Sequence, residues 1–288
     1  MATSKISTEI SRRGLKRRNS IIPGLALSLG LSSTYLGVLV LLPLALLTLV
    51  ALKIPPAEIW RTLTDARTLA AYKASIIPAF IASMINFVFG SVVAWVLVRK
   101  RFPGRQLIDA LIDLPFAMPT AVVGIALVTL YGPGTLFGSY LTRFGLDTST
   151  GYLGITLAMV FVSLPFVIRT VQPVLEDLDP SVEQVAASLG ASPASILWRV
   201  FLPQLLPAMI TGFILSFAKS IGEFGAVIFL AGNIPGLTEV APLLIMVRLE
   251  EFAYPQAAVV AIGLLLLSFA LLLVVNTLQA RLAERISK

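Results

Sequence analysis

The stretch Leu175–Gly190, LEDLDPSVEQVAASLG, decides how the chain is organised. Asp179 followed by Pro180 predicts the start of a helix, because aspartate caps helix N-termini and proline fits the first helical position. Gly190 suits the residue just after that helix, where a positive φ is common. The sequence therefore predicts one short helix that ends at a sharp turn, and the Ser192–Pro193 pair predicts the start of the next helix.

Long apolar stretches lie on both sides of this short helix. Hydrophobic residues make up 57% of the 288 and charged residues only 13%. A soluble domain carries roughly 25% charged residues, so this chain needs a lipid environment around much of its surface. We predict an all-α, polytopic membrane protein with six transmembrane helices, near residues 31–52, 76–98, 107–131, 152–168, 200–230 and 256–278.

The distribution of Lys and Arg favours a topology with both termini in the cytoplasm. The densest basic cluster, Arg12–Arg18, directly precedes the first apolar stretch, as expected for a cytoplasmic anchor. That stretch is too long for the apolar part of a cleaved signal peptide. We therefore expect a cytoplasmic basic segment (1–30), a transmembrane domain (31–280) with a cytoplasmic loop at about 174–199, and a cytoplasmic tail (281–288).

The composition excludes several kinds of chemistry. The chain has no Cys and no His, so it can form no disulfide, Cys/His zinc site or imidazole base. The sequence also lacks the G-x-x-x-x-G-K-[ST] pattern that binds ATP phosphates. We expect no metal, no cofactor and no nucleic-acid partner. A membrane-embedded enzyme is disfavoured because the acidic residues are scattered, and a passive channel would leave the glycine-ended loop without a role.

Lys219 and Glu223 fall within the predicted fifth span. Charges inside a membrane are costly and usually face a partner or an aqueous cavity. Their spacing of four places them on one helix face, close enough to pair. Two interpretations stay open: with Ser220 they line or gate the path of an anion, or they form a structural ion pair.

Two other charged residues lie near the ends of predicted spans. Arg169, at the inside end of the fourth span, is expected to reach toward lipid headgroups or to pair with Glu176. Asp113, near the start of the third span, is expected either to cap a broken helix or to pair with a basic residue; the sequence leaves this choice open.

The loop resembles the EAA loop of bacterial ABC importer permeases, whose pattern is Glu-Ala-Ala, three residues, Gly, and later Ile-x-Leu-Pro. Aligned on Gly190, the three positions are Gln184, Val185 and Ala186, with Glu183 one residue earlier. The tail is VFLP, which ends at Pro203. Glutamine thus replaces the family glutamate. The residues that the resemblance assigns to coupling with an ATPase are Glu183, Gln184, Ala186, Ala187, Gly190 and Pro203.

Further stretches are similar to sulfate and molybdate permeases. Asp113–Ile125 resembles their third span and Phe217–Asn233 their fifth. Thr238–Val240 and Arg248–Pro255 favour the CysT type of sulfate/thiosulfate permease, with molybdate as the alternative substrate. The resemblance implies the type I ABC importer (MetI-like) permease fold and a non-ATPase, multi-pass subunit of the bacterial inner membrane.

The resemblance also implies an assembly. Its other members are a second, CysW-like permease, two copies of a CysA-like ATP-binding subunit that holds ATP and Mg, and an extracytoplasmic sulfate-binding protein. The first outside loop, with Trp60, Arg61 and Arg67, is either a dock for that binding protein or an interfacial segment with an aromatic anchor.

Overall fold

The computed structural model describes residues 25–286, and all regular secondary structure among them is helical. The predicted basic cluster at Arg12–Arg18 lies outside the described residues, as do 287 and 288 of the predicted tail. Residues up to Leu49 form one compact unit and those from Val50 a second. The first unit contains α1 (Leu25–Leu36), a π-helical turn (Gly37–Leu41) and most of α2 (Leu42–Ala51).

The second unit contains the other helices. They are α3 (Pro56–Thr64), α4 (Ala66–Arg99), α5 (Arg105–Ile112), α6 (Leu114–Ala117), α7 (Thr120–Tyr131), α8 (Leu136–Arg143) and α9 (Tyr152–Asp177). After them come α10 (Pro180–Ser188), α11 (Pro193–Ile196), a π-helical turn (Leu197–Phe201), α12 (Leu202–Ile221), α13 (Val227–Leu230), α14 (Ala241–Glu250) and α15 (Tyr254–Ile286).

Five uninterrupted helical stretches among the described residues are long and apolar enough to cross a bilayer. The third predicted span, near 107–131, is bent: α5 and α6 together meet α7 at 116°, and the pair makes a sixth span when it is counted as one. This predicted span is therefore not a single straight helix. The bend lies at Met118 and Pro119, because a residue before proline is pushed out of the α region, and Met118 has φ −91° and ψ 138°.

Other predicted boundaries also shift. The second span is the 34-residue α4, about 51 Å long at 1.5 Å per residue, against roughly 30 Å of hydrocarbon. The fourth span continues to Asp177 through Pro165 and Pro173. The fifth begins earlier than predicted and ends at Ile221, because the chain turns at Gly222 and only resumes a helix at Val227.

Small and polar side chains hold α4, α9 and α12 together. A Cβ added at Gly212 would lie 2.8 Å from Val167 Cα, so these backbones approach closely. Asn86 Nδ2 donates to Ser163 Oγ at 2.9 Å, and Ser216 Oγ donates to the same oxygen at 2.9 Å. Packing by small residues with a few polar contacts is typical of helices in membranes.

Candidate functional site

The loop after α9 has the predicted caps. Asp179 accepts a hydrogen bond from Ser181 N at 2.8 Å at the start of α10. At the other end Gly190 has φ +84°, its N–H donates to Ala187 O at 2.9 Å, and Ala191 N–H donates to Ala186 O at 3.1 Å. These two bonds define a Schellman motif, which satisfies carbonyls that the helix end would otherwise leave free.

The pKa of Asp179 is lowered, because its carboxylate accepts the hydrogen bonds of Ser181 and these favour the charged form. Ser192 caps α11 through a 3.3 Å bond from Ser195 N. Both ends of the turn between α10 and α11 are thus fixed by local hydrogen bonds, as the sequence predicts.

Much of the apolar surface of this loop is exposed. Leu189 is 84% exposed, and Val182 and Val185 are exposed beside it. Glu183, Gln184 and Ala187 are exposed as well, whereas Ala186 is partly buried and packs against the apolar cluster that contains Leu175 and Phe201. A short helix with exposed apolar and small side chains is suited to docking into another protein.

Buried residues anchor the loop to the rest of the unit. Ile196 and Phe201 are buried in the cluster that also contains Leu97 and Leu175. The guanidinium of Arg99 lies 5.3 Å from the centre of the Phe201 ring and donates to Leu178 O at 3.2 Å. Pro203, at the end of the predicted pattern, lies in the first turn of α12 and is partly buried.

Lys219 and Glu223 are close enough to pair, as their spacing predicts, and they form an ion pair with Lys219 Nζ 2.8 Å from Glu223 Oε2. Glu223 is 2% exposed and its other oxygen accepts from Ala226 N at 3.1 Å. Glu223 lies just beyond the end of α12 rather than on it. Ser220, also buried, has a side-chain oxygen with no hydrogen-bond partner among the described residues. The structure therefore holds a carboxylate, an ammonium and a free hydroxyl within one turn of chain.

This segment packs against the bend in the third span. A Cβ added at Gly225 would collide with Thr120 Oγ1, and one at Gly124 would lie 2.8 Å from Ala226 O. Thr120 begins α7, directly after the bend. The Lys219–Glu223 pair and the bend are thus parts of one region.

Arg169 forms contacts that the sequence analysis did not predict. It binds Asp113 with both Nε and Nη2, at 2.8 and 2.7 Å, and donates from Nη1 to Asp109 Oδ1 at 2.8 Å. It also donates to Gln172 Oε1 at 2.7 Å and to the carbonyl of Asp109 at 2.8 Å. The expectation of lipid headgroups or Glu176 was wrong. Of the two options for Asp113, pairing with a base is the one observed.

Arg67 lies in the first turn of α4, at the end opposite to Arg99, and is paired with an acidic side chain. Its Nε and Nη2 each lie 2.8 Å from one oxygen of Glu239, which is 3% exposed. Sequence patterns gave no indication of this pair, because 172 positions separate its members. Arg67 is therefore not free to serve in the dock proposed for the first outside loop.

Comparison with known proteins identifies the family. The model described as "Binding-protein-dependent transport system inner membrane component" matches residues 86–288. The chain belongs to this family. The family description, an inner membrane component, agrees with the several apolar helices of a multi-pass protein among the described residues.

Relatives in this family are similar over most of their length. The sulfate transport system permease protein CysT of Escherichia coli (strain K12) is 48% identical over 266 residues, covering 92% of this chain and 96% of that protein. A probable sulfate transport system permease protein cysT of Nephroselmis olivacea is 43% identical over 250 residues, covering 87% of this chain and 88% of that protein.

Solved structures of ABC transporters show the same fold. A chain of a bacterial alginate ABC transporter, in complex with a periplasmic protein bound to an alginate pentasaccharide, superposes with a TM-score of 0.73 at 17% identity, covering 89% of this chain and 94% of that chain. A chain of the MetNI methionine ABC transporter, in an inward-facing conformation, gives 0.56 at 14% identity, covering 82% and 100%. The predicted type I importer permease fold is confirmed.

Proposed function

We propose that this chain is the membrane-spanning permease subunit of an ATP-driven sulfate importer. The observation that carries the proposal is the near full-length identity to sulfate transport permeases of the CysT type. Those relatives favour sulfate over the molybdate alternative. The chain is a transport subunit rather than a membrane-embedded enzyme, and the ATPase of such a system is a separate subunit.

The exposed helix α10 is the proposed contact with that ATPase. Its small side chains, Ala186 and Ala187, allow close approach, while Val185 and Leu189 offer apolar surface to a groove. Glu183 and Gln184 project from the same short helix. The turn at Gly190 sets the angle between α10 and α11. A movement of α10 would therefore be passed through α11 to Pro203 and the start of α12 at that angle. We propose that the partners are a CysA-like ATPase in two copies and a CysW-like second permease.

Lys219 is the proposed attraction for the dianion. The Lys219 side chain is 36% exposed while the carboxylate of Glu223 is buried, so the lysine is the more accessible member of the pair. The neighbouring carboxylate also weakens the hold on sulfate, which an importer needs if it is to release its substrate. The free hydroxyl of Ser220 adds a hydrogen-bond donor in the same turn.

The extracytoplasmic binding protein is proposed to dock at the end of the molecule that carries α3. A cavity of ≈ 540 Å³ opens there, lined by residues that include Glu58, Arg61, Asp65 and Arg248. Both signs of charge are present, which suits a protein loop better than a free dianion. Of the two arginines considered for this docking surface, Arg61 lines the cavity, whereas Arg67 is paired with Glu239.

Arg61→Glu is expected to weaken stimulation of ATP hydrolysis by the binding protein without changing basal ATP hydrolysis.

The test of the proposed function is ATP hydrolysis in liposomes. The chain is co-reconstituted with its partner permease, ATPase and binding protein, and hydrolysis is measured with sulfate-loaded and with molybdate-loaded binding protein. We expect stimulation by sulfate, and its loss in an assembled Gly190→Pro complex. Stimulation by molybdate alone would overturn the substrate, and no stimulation of an intact complex by either anion would overturn the importer.

A further inference from the structure

Arg169 uses all the N–H groups of its guanidinium on neighbouring atoms. Two donate to Asp113, two to the side chain and carbonyl of Asp109, and one to Gln172. Bidentate guanidinium–carboxylate pairs are directional as well as strong. Arg169 therefore fixes both the distance and the angle between α9 and α5. We refer to Arg169, Asp109 and Asp113 as the inner clamp.

Apart from the inner clamp, little apolar surface attaches α5 to its surroundings. Ile112 is the buried residue of α5. In α6, the ring of Phe116 meets that of Phe166 on α9 edge-on, with centroids 5.0 Å apart. The buried residue of α6 is Pro115. The half of the third span formed by α5 and α6 thus rests on α9 through a small apolar contact, and the clamp is its charged contact.

The helix that carries Arg169 leads directly into the proposed coupling loop. α9 runs without a break from Arg169 to Asp177, about 12 Å at 1.5 Å per residue. Asp179 then caps α10. A displacement of α10 is therefore applied close to one end of a short helical segment whose other end holds the clamp.

The outer half of the third span has different neighbours. α7 packs on the segment around Ala226, beside Glu223, through the close approaches of Gly124 and Gly225. The bend at Met118 and Pro119 separates this half from the one held by Arg169. A change in the position of the clamp must therefore alter the bend angle next to the Lys219–Glu223 pair.

We propose that Arg169 is a positioning residue that carries the movement of the coupling loop to the bend in the third span, and so opens and closes the anion path beside Lys219. This inference rests on the proposed function, since it requires ATP-driven transport. The chain should tolerate loss of the guanidinium, because the Asp109 and Asp113 side chains are 38% and 48% exposed. Water can replace the guanidinium at such groups at modest cost.

The test compares sulfate uptake with ATP hydrolysis in the complete complex in liposomes. In Arg169→Gln we expect binding-protein-stimulated hydrolysis to continue while sulfate carried per ATP falls about tenfold, the usual size of a coupling between sites. Arg169→Lys, which keeps the charge but not the two-pronged contact, is expected to show a smaller loss. Arg105→Gln, which removes a charge from the same α5, serves as the matched control and should match the unmodified complex.

A second readout separates coupling from folding. The chain has no native cysteine, so Phe116→Cys and Phe166→Cys can be joined by a short thiol crosslinker in the Arg169→Gln background. Recovery of sulfate carried per ATP after crosslinking would support the proposal. An unchanged ratio in Arg169→Gln, or no recovery once the crosslink has formed, would overturn it. No uptake by the unmodified complex would overturn the proposed function itself.

Discussion

The loop between α9 and α11 and the charge pairs with a buried carboxylate are held by contacts of opposite range along the sequence. The loop, from Asp179 to Ser192, is held by hydrogen bonds between residues at most five positions apart and leaves its apolar side chains exposed. The Arg67–Glu239 pair joins residues 172 positions apart and buries a carboxylate. Removing a loop contact should therefore disturb one helix, whereas removing half of the buried pair should weaken the whole unit.

The largest effect on stability is expected for Arg67→Ala. It leaves Glu239 as an unpaired buried charge, which costs about 3 to 5 kcal/mol. Thermal unfolding in detergent should show a clear fall in Tm, and Arg61→Ala, an exposed arginine on the neighbouring α3, should show little change. Equal Tm values for the two variants would contradict the expectation that this pair stabilises the whole unit, because the pair would then behave like a surface contact.

A smaller effect on stability is expected for Lys219→Met. Glu223 loses a charge-assisted hydrogen bond worth about 2 kcal/mol, yet it keeps the bond from Ala226 N. Sulfate uptake should fall by more than the loss of folded protein explains, because the attraction for the anion is lost.

Lys219→Arg is the matched control for this position and should retain most of the uptake. If both variants lose stability and uptake in parallel, the pair is a structural element and the proposed role in the anion path is wrong.

A local effect is expected for Gly190→Ala. Nothing lies within 4 Å of an added Cβ, so the only penalty is the positive φ, about 1 to 2 kcal/mol for a residue with a side chain. Hydrogen exchange of the α10 amides should become about tenfold faster, because 1.4 kcal/mol is a factor of ten. Gly190→Asn, which tolerates this φ better, should change less. A fall in Tm as large as that of Arg67→Ala would contradict the local character of the loop.

The smallest effect concerns pH. The pKa of Asp179 is lowered by hydrogen bonds to its carboxylate. Its contribution to α10 is therefore complete above the ordinary pKa of about 3.9 and is lost as the pH falls through the lower folded value. The anisotropy of a dye on Val185→Cys should drop in that acidic range. The same drop in an Asp179→Asn background would show that another group is responsible.

The same contrast explains what the sequence could predict. Both helix caps and the Gly190 turn follow from neighbouring residues, so they were predicted and are confirmed. The Lys219–Glu223 pair was predicted from spacing on one helix, and it forms even though the helix ends at Ile221. The partners of Arg67 and Arg169 lie far away along the chain, and the spacing patterns of one sequence do not identify such pairs.

The bend in the third span lies between these cases. Pro119 lies at this bend, but a proline in a span is compatible with a mild kink as well as with a break. The two halves have different partners: Asp113, before the bend, pairs with Arg169 of α9, and Gly124, after it, lies beside Ala226. Asp113 and Arg169 are 56 positions apart, so the sequence does not predict this contact.

The exposure of Leu189 has a consequence for the life of the protein in the cell. This side chain lies outside the candidate membrane spans and is 84% exposed. A copy that is not assembled with an ATPase therefore presents an exposed apolar side chain. Chaperones and proteases act on such surfaces. The amount of this subunit in the membrane should therefore follow the supply of its ATPase, and orphan copies should be degraded until assembly covers this side chain.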